Sequence, residues 1–138
     1  MPIVTARIHA FYDRQFRNVA GTWPSQVWTS LLRSEPDLDG LGATEFTSAD
    51  FVEYSRIATT YGSPASRAIS NSVAALFASA ATMGVQRVAT HFGVHSSLTP
   101  TAGDMIAWGR LTSPYTIGAG SLVNFPIGSL IIDDLGTA

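Results

Sequence analysis

Residues 86–95, with the sequence QRVATHFGVH, alternate in character from one position to the next, and this alternation decides the fold class. One set of alternate positions is mainly apolar and comprises Val88, Thr90, Phe92 and Val94. The opposed set is Arg87, Ala89, His91, Gly93 and His95. A period of two residues is typical of a β-strand with one buried face. We therefore predict a strand from Gln86 to His95.

Six further short runs with an alternating pattern lie on both sides of this stretch, and turns that contain glycine or proline separate them. They cover residues 27–32, 51–60, 69–78, 105–111, 122–127 and 130–132. Pro114 and the glycines at 118 and 120 are expected to end the run that begins at Met105. Seven short strands at a spacing of roughly 10 residues leave no room for helical crossovers. The chain is therefore predicted to belong to the all-β class in its main part. It should form a single antiparallel β-sandwich or jelly-roll-like domain.

The first 26 residues differ from the rest. A helical spacing relates Ile8, Phe11, Tyr12, Phe16 and Val19, and the following Gly21 and Pro24 would end a helix. The alternation of Val4, Ala6, Ile8, Ala10 and Tyr12 fits a strand as well. We favour a short N-terminal helix. The chain is accordingly predicted to consist of two parts. Residues 1–26 form an N-terminal segment that serves for attachment or for contact within an oligomer, and residues 27–138 form the β-sandwich domain.

Composition narrows the partners that the protein can have. The 138 residues are 46% hydrophobic but only 13% charged, against about 25% in typical soluble domains. A weakly charged surface can be covered by other subunits at little desolvation cost, which indicates assembly. The net charge of -2 offers no basic patch for nucleic acid, and no apolar run reaches the ~20 residues of a membrane helix. Without the features of a signal peptide at residues 1–4, we expect synthesis in a cytoplasm.

Two groups of residues invite a metal hypothesis. His91 and His95 are four residues apart, which on a strand separates them by about 13 Å, too far to share one ion. Asp37, Asp39 and Glu45 supply oxygen ligands, but Gly40 and Gly42 do not fall where a calcium-binding loop needs its glycine. We predict that the protein holds neither a metal nor another cofactor.

Catalytic patterns are weak as well. Serine, histidine and aspartate are all present, as in most chains, but no Gly-x-Ser-x-Gly turn displays a nucleophile. The carboxylate pairs Glu35 with Asp37 and Asp133 with Asp134 fall in turn-rich or terminal stretches, where solvated loop charges are the favoured interpretation. We therefore predict no catalytic residues and a protein that is not an enzyme.

Four aromatic residues are candidates for an interface or for contact with a glycan. Trp28 and Trp108 lie inside alternating runs, so a core or subunit-interface position is expected for them. Tyr61 and Tyr115 flank turns that contain glycine or proline and are the better candidates for exposure on a sugar-binding surface. The structural interpretation is favoured over the glycan hypothesis for all four.

Several motifs resemble those of phage tail fibre proteins, a family common in siphophages and prophages. The motifs are AISNS at 68–72, THFGV at 90–94, AWGRLTSP at 107–114, TIGAG at 116–120, FPIGSL at 125–130 and LLRSEPD at 31–37. Each motif alone is common in strands and turns of many proteins. Their order and spacing together are more specific and indicate this family. The resemblance extends from about Val27 to Ile132 and does not include the first 26 residues.

The resemblance implies a non-catalytic structural protein of the virion, assembled in the host cytoplasm. It would form homo-oligomers, with a trimer favoured, and pack against tail, baseplate or major capsid proteins. Two alternatives remain open at this point: a capsid decoration protein that stabilises the head shell, and a lectin-like module that binds a host surface glycan at a fibre tip.

Overall fold

The computed structural model describes residues 3–4, 16–17, 25–63, 65 and 68–133, and its elements with defined bounds are all β-strands. The strands are β1 (Val27–Leu32), β2 (Ile57–Thr59), β3 (Ala68–Ser70), β4 (Ala75–Leu76), β5 (Arg87–His95), β6 (Met105–Ile117), β7 (Asn124–Phe125) and β8 (Ile131–Asp133). The predicted all-β class is confirmed. The N-terminal helix was predicted on residues that lie largely outside the described ranges.

The strands form one large and two small antiparallel sheets. The main sheet has the order β2-β1-β5-β6, and the two-stranded sheets pair β3 with β8 and β4 with β7. The pairing of β5 with β6 is the most extensive contact, and β5 lies between β1 and β6, with both of which it forms antiparallel pairs. The stretch at residues 86–95 therefore forms a strand, as its alternation predicted, but residues 91–95 are buried on both faces of the sheet.

One irregularity changes the alternation inside β5. Between the paired positions Ala89↔Tyr115 and His91↔Arg110, Thr90 alone lies opposite residues 111–114 of β6. Ala89 and Phe92 are both fully buried in the same core, although they are three residues apart. Val88, expected on the apolar face, is instead 40% exposed, because this register shift rotates the beginning of β5 relative to its end.

The expectation that Pro114 ends the strand is wrong, because β6 continues through it to Ile117. Two features of the structure make proline acceptable there. β6 is the last strand in the order of the main sheet, and Pro114 falls in the register shift, where regular pairing with β5 is interrupted. A missing N–H costs little at an edge or a bulge.

The predicted run at residues 69–78 is divided into β3 and β4 by Asn71. This residue is 1% exposed, and its amide nitrogen donates to the carbonyls of Val73 (2.8 Å) and Pro126 (3.0 Å). Its side-chain oxygen accepts from the backbone N–H of Leu130 at 2.9 Å. Asn71 thereby joins the β3–β4 corner to the connection between β7 and β8.

The two faces of the main sheet contact different cores. The larger core contains side chains of β1, β5 and β6 together with β4, β7 and β8, including Leu31, Phe92 and Phe125. The smaller core on the other face comprises Val4, Leu32 and Met105, and the N–H of Val4 donates to the carbonyl of Ile106 at 3.0 Å. The sandwich or jelly-roll topology and the boundary at residue 26 stay predictions. In the described part of the chain, no helix has the length and apolar character to cross a membrane.

Candidate functional site

A group of buried and half-buried polar side chains lies at one end of the main sheet and is the most distinctive feature of the described residues. We call it the polar network, and it consists of Ser30, Glu45, Tyr54, Arg56, His95 and Asp104. Ser30 belongs to β1 and His95 ends β5, whereas Arg56 and Asp104 directly precede β2 and β6. The network therefore connects all four strands of the main sheet.

Local structure brings these residues together from distant parts of the chain. Asp104 closes the β5–β6 hairpin, because the N–H of Ser96 donates to its carbonyl at 3.0 Å, and Gly103 before it has a φ of 75°. A second register shift, between the pairs Val94↔Ala107 and His95↔Met105, follows immediately. Glu45 forms an isolated bridge with Leu32, beyond the point where β2 has ended.

Arg56 is the centre of the network. Its Nε and one terminal nitrogen donate to the two oxygens of Glu45, both at 2.8 Å, which is a bidentate pair. The other terminal nitrogen donates to Asp104 Oδ2 and to the carbonyl of Ser97 at 2.9 Å. The side chain is only 3% exposed. Burial disfavours its charge, but the bonds to Glu45 and Asp104 outweigh burial and raise the pKa of Arg56 above its usual value.

Tyr54 extends the network towards the larger core. Its hydroxyl donates to Glu45 Oε1 at 3.2 Å and accepts from the backbone N–H of Leu31 at 3.0 Å. Burial of the ring, followed by the nearby charge of Glu45, raises the pKa of Tyr54 well above the usual value of a tyrosine. The phenol therefore stays neutral and links the larger core to Glu45 of the network.

Ser30, His95 and Asp104 are hydrogen-bonded to one another in the same sequence as the serine, histidine and aspartate of a catalytic triad. His95 Nε2 lies 2.7 Å from Ser30 Oγ, and His95 Nδ1 lies 3.0 Å from Asp104 Oδ1. Ser30 is, however, 0% exposed, and Gly93 lies directly beside the serine–histidine bond. A Cβ at Gly93 would be 2.6 Å from His95 Nε2 and 2.8 Å from Ser30 Oγ. The serine oxygen is therefore enclosed, and a substrate cannot approach it as a nucleophile requires.

Two buried histidines, His95 of the network and His91 outside it, make the stability of the protein depend on pH. The pKa of His95 is lowered, first by burial and then by the neighbouring charge of Arg56. The nearby Asp104 and Glu45 act in the opposite direction but do not outweigh these two effects. Burial likewise lowers the pKa of His91, with Glu35 opposing and Arg110 reinforcing this change. Since an unfolded histidine has a pKa of about 6.5, the unfolded chain binds more protons than the folded one below that pH. Low pH should therefore destabilise the fold.

We expect the free energy of unfolding to fall between pH 7.5 and pH 5, by at most about 1.4 kcal/mol per pH unit for each histidine. Urea unfolding at a series of pH values measures this slope. The H95Q variant should have a shallower slope, because only His91 of the two buried histidines remains. An unchanged slope in H95Q would show that His95 does not cause the pH dependence.

A cavity of about 290 Å³ lies over the exposed side of the network. Glu45, Arg56, His95 and Asp104 line it together with residues 40–43 and 100–103 of two loops. The charged groups on its floor are hydrogen-bonded to one another, as described above. Among the described residues, no three histidine, aspartate or glutamate side chains are grouped so that they could hold a metal ion.

Sequence reasoning did not single out this network. The sequence presents Glu45 only as a candidate calcium ligand and His95 as a strand residue and half of a metal pair, and Arg56 falls without distinction in the run at residues 51–60. His91, the other half of that pair, instead has Nδ1 at 2.9 Å from Thr90 Oγ1 and an edge-to-face contact with the Trp108 ring. No periodic signal marks the network, because its members pair across sequence separations of up to 65 residues.

The four aromatic candidates are all partly buried. Trp28 pairs with His95 across the sheet, and Trp108 packs on the smaller core, where its Nε1 is buried without a hydrogen-bond partner in the described residues. Tyr61 bonds to Thr29 Oγ1 at 3.1 Å, and burial raises its pKa to about 12. Tyr115 donates to the carbonyl of Leu122 at 2.5 Å. Their roles at an interface or a glycan stay predictions.

Comparison with known proteins identifies the family. The family model described as Podophage GP4 fiber I protein gp80 matches residues 3–133. No curated protein matches the chain. The match includes the N-terminal residues that the sequence motifs left out, and it confirms the predicted tail fibre family with podophages in place of siphophages. The chain belongs to this podophage fibre protein family and is a component of the virion.

Proposed function

We propose that the protein is a non-catalytic structural subunit of the phage fibre, which acts by homo-oligomerisation, with a trimer favoured, and by packing against other tail or baseplate proteins. The observation that carries this proposal is the family match over residues 3–133, which makes the chain a fibre structural protein associated with other virion proteins.

The polar network supports a mechanical role over a catalytic one. Its most reactive arrangement, Ser30 with His95, is enclosed, and its charged groups are used to bond one strand to another. Hydrogen-bonded and charged groups in a low-dielectric interior strengthen one another when all are paired. Such a network holds β2, β1, β5 and β6 in one arrangement, which suits a subunit that transmits force without changing shape.

The size of the chain supports oligomerisation. A compact domain of 138 residues has an expected radius of gyration of about 14 Å. An elongated fibre therefore requires several subunits, and the low share of charged residues, 13%, reduces the cost of covering the surface with neighbours. Permanent subunit interfaces are comparatively large and apolar.

The test combines the mass of the purified chain in solution with its position on the particle. Light scattering coupled to size-exclusion chromatography should give a multiple of the 14.6 kDa chain mass, with three copies favoured. Antibody labelling of purified virions, imaged by cryo-electron microscopy, should place the protein on the tail. A chain that stays monomeric at high concentration and is missing from virions would overturn the proposal, and labelling of the head would support the decoration alternative instead.

A further inference from the structure

The cavity beside the polar network combines a charged floor with apolar walls. Its volume of about 290 Å³ is at the lower limit of ligand pockets, roughly 300–1,000 Å³, so it suits a group the size of a side chain and not an oligosaccharide. Network side chains form the floor, whereas the walls and rim are mainly apolar and include Leu32, Leu41, Ala43, Pro100, Ala102 and Met105. A group with an apolar stem and a charged end would match both parts of the cavity.

The charge of the floor is negative. Glu45 and Asp104 are carboxylates, and Arg56 is the one arginine among the described residues that line the cavity. His95 adds no positive charge at neutral pH, because burial lowers its pKa below the usual value. Two carboxylates and one guanidinium therefore give the floor a net charge of -1. A negatively charged guest would be repelled there and a positively charged one attracted.

The carboxylates are also the groups that the network leaves most accessible. The side chains of Glu45 and Asp104 are 16% and 9% exposed, against 3% for Arg56. An ionised carboxylate has about four acceptor sites. Within the described residues, Glu45 accepts three hydrogen bonds in the network and Asp104 accepts two. Each carboxylate can therefore accept from a further donor.

We propose that this cavity binds a guanidinium or ammonium group that is carried on a short aliphatic stem. The charged end donates to the remaining acceptor sites of Glu45 and Asp104, and the stem packs against the apolar wall at Leu41 and Pro100. Two sources have this chemistry: an arginine or lysine side chain of another polypeptide, and a small free amine. The site is separate from the enclosed pair of Ser30 and His95 and requires no catalysis.

Nuclear magnetic resonance titration of the isotope-labelled full chain tests the proposal. The first probe is N-acetyl-arginine methylamide, and its matched control is N-acetyl-citrulline methylamide, which has nearly the same shape but no charge. The arginine probe should shift the amide signals of residues 40–43 and 101–103, which line the cavity, and leave those of β3, β4 and β7 unchanged. It should bind at least about 10-fold more tightly than the citrulline control, since only the arginine probe is attracted by the floor.

Agmatine, which carries the same guanidinium on a free amine, is the second probe and distinguishes the two sources. Binding of the capped arginine but not of agmatine supports a polypeptide side chain as the guest. Binding of agmatine alone supports a small free amine, and binding of both supports the shared chemistry. The proposal is overturned if neither probe binds at about 10 mM, if capped citrulline binds as well as capped arginine, or if the shifts lie outside the cavity.

A rim variant places the binding in this cavity. In A102R, an arginine at the exposed rim would compete for the floor, so the affinity for the capped arginine should fall at least about 10-fold. The control is V52R, which adds the same charge at a residue that is 72% exposed and does not line the cavity, and it should leave the affinity unchanged. Circular dichroism monitors folding, and if A102R does not fold, E45Q replaces it with the same loss expected. Equal affinities of the folded variant and V52R would contradict the proposed site.

Discussion

Replacing Arg56 with methionine should lower the free energy of unfolding by about 3–5 kcal/mol. Methionine fills most of the volume but leaves Glu45 and Asp104 without their cation in a position where the arginine is 3% exposed. A buried charge without its partner keeps the cost of desolvation and loses the compensating attraction. Because small domains are stable by only about 5–15 kcal/mol, this loss should be visible directly in urea unfolding at pH 7.

The matched control for this variant is R87M. Arg87 is also paired with a carboxylate, Asp50, but at 3.7 Å and with a side chain that is 43% exposed. An exposed pair contributes at most about 1 kcal/mol, so R87M should be nearly neutral. Adding E45Q and D104N to R56M should recover part of the loss, since the unpaired charges are then removed. Equal effects of R56M and R87M would show that the network does not stabilise the sheet.

Replacing Gly109 with alanine should destabilise the fold by about 3 kcal/mol, at the upper end of the range for overpacked cores. The new Cβ would lie 2.6 Å from the carbonyl oxygen of Ile131 and 2.6 Å from two ring carbons of Phe92. Neither neighbour can move easily, because the first is backbone of β8 and the second is a fully buried side chain. Gly109 thus allows the backbone of β8 to approach the main sheet closely.

Gly84 supplies the control for this effect. A Cβ at Gly84 meets no atom within 4 Å, and Gly84 is not among the glycines with positive φ. G84A should therefore change the free energy of unfolding by no more than about 0.5 kcal/mol. Thermal and chemical unfolding of G109A and G84A measure the difference. If G109A is as stable as G84A, then β8 does not pack on β6 as closely as the structure shows.

Local pattern was enough to predict the presence of β1 and β5, the second of them despite its irregular pairing with β6. Residues 27–32 were predicted as a strand and form β1 with the same bounds, and the alternation at residues 86–95 forms β5 from Arg87. Strand alternation is a property of consecutive residues, so it can be read without knowing the partner strand. Where the partner changes the pattern, prediction failed, as at Pro114 and in the run that Asn71 divides.

By itself, the sequence determined the all-β class, the weakly charged surface and, through its ordered motifs, the fibre family. Only the tertiary structure decided which polar residues act together. Ser30 meets His95 across 65 residues and Arg56 meets Asp104 across 48, distances in sequence over which no periodic pattern persists. The reason is physical: alternation reflects one strand's own burial, whereas a buried ion pair depends on the register of several strands and on the turns that end them.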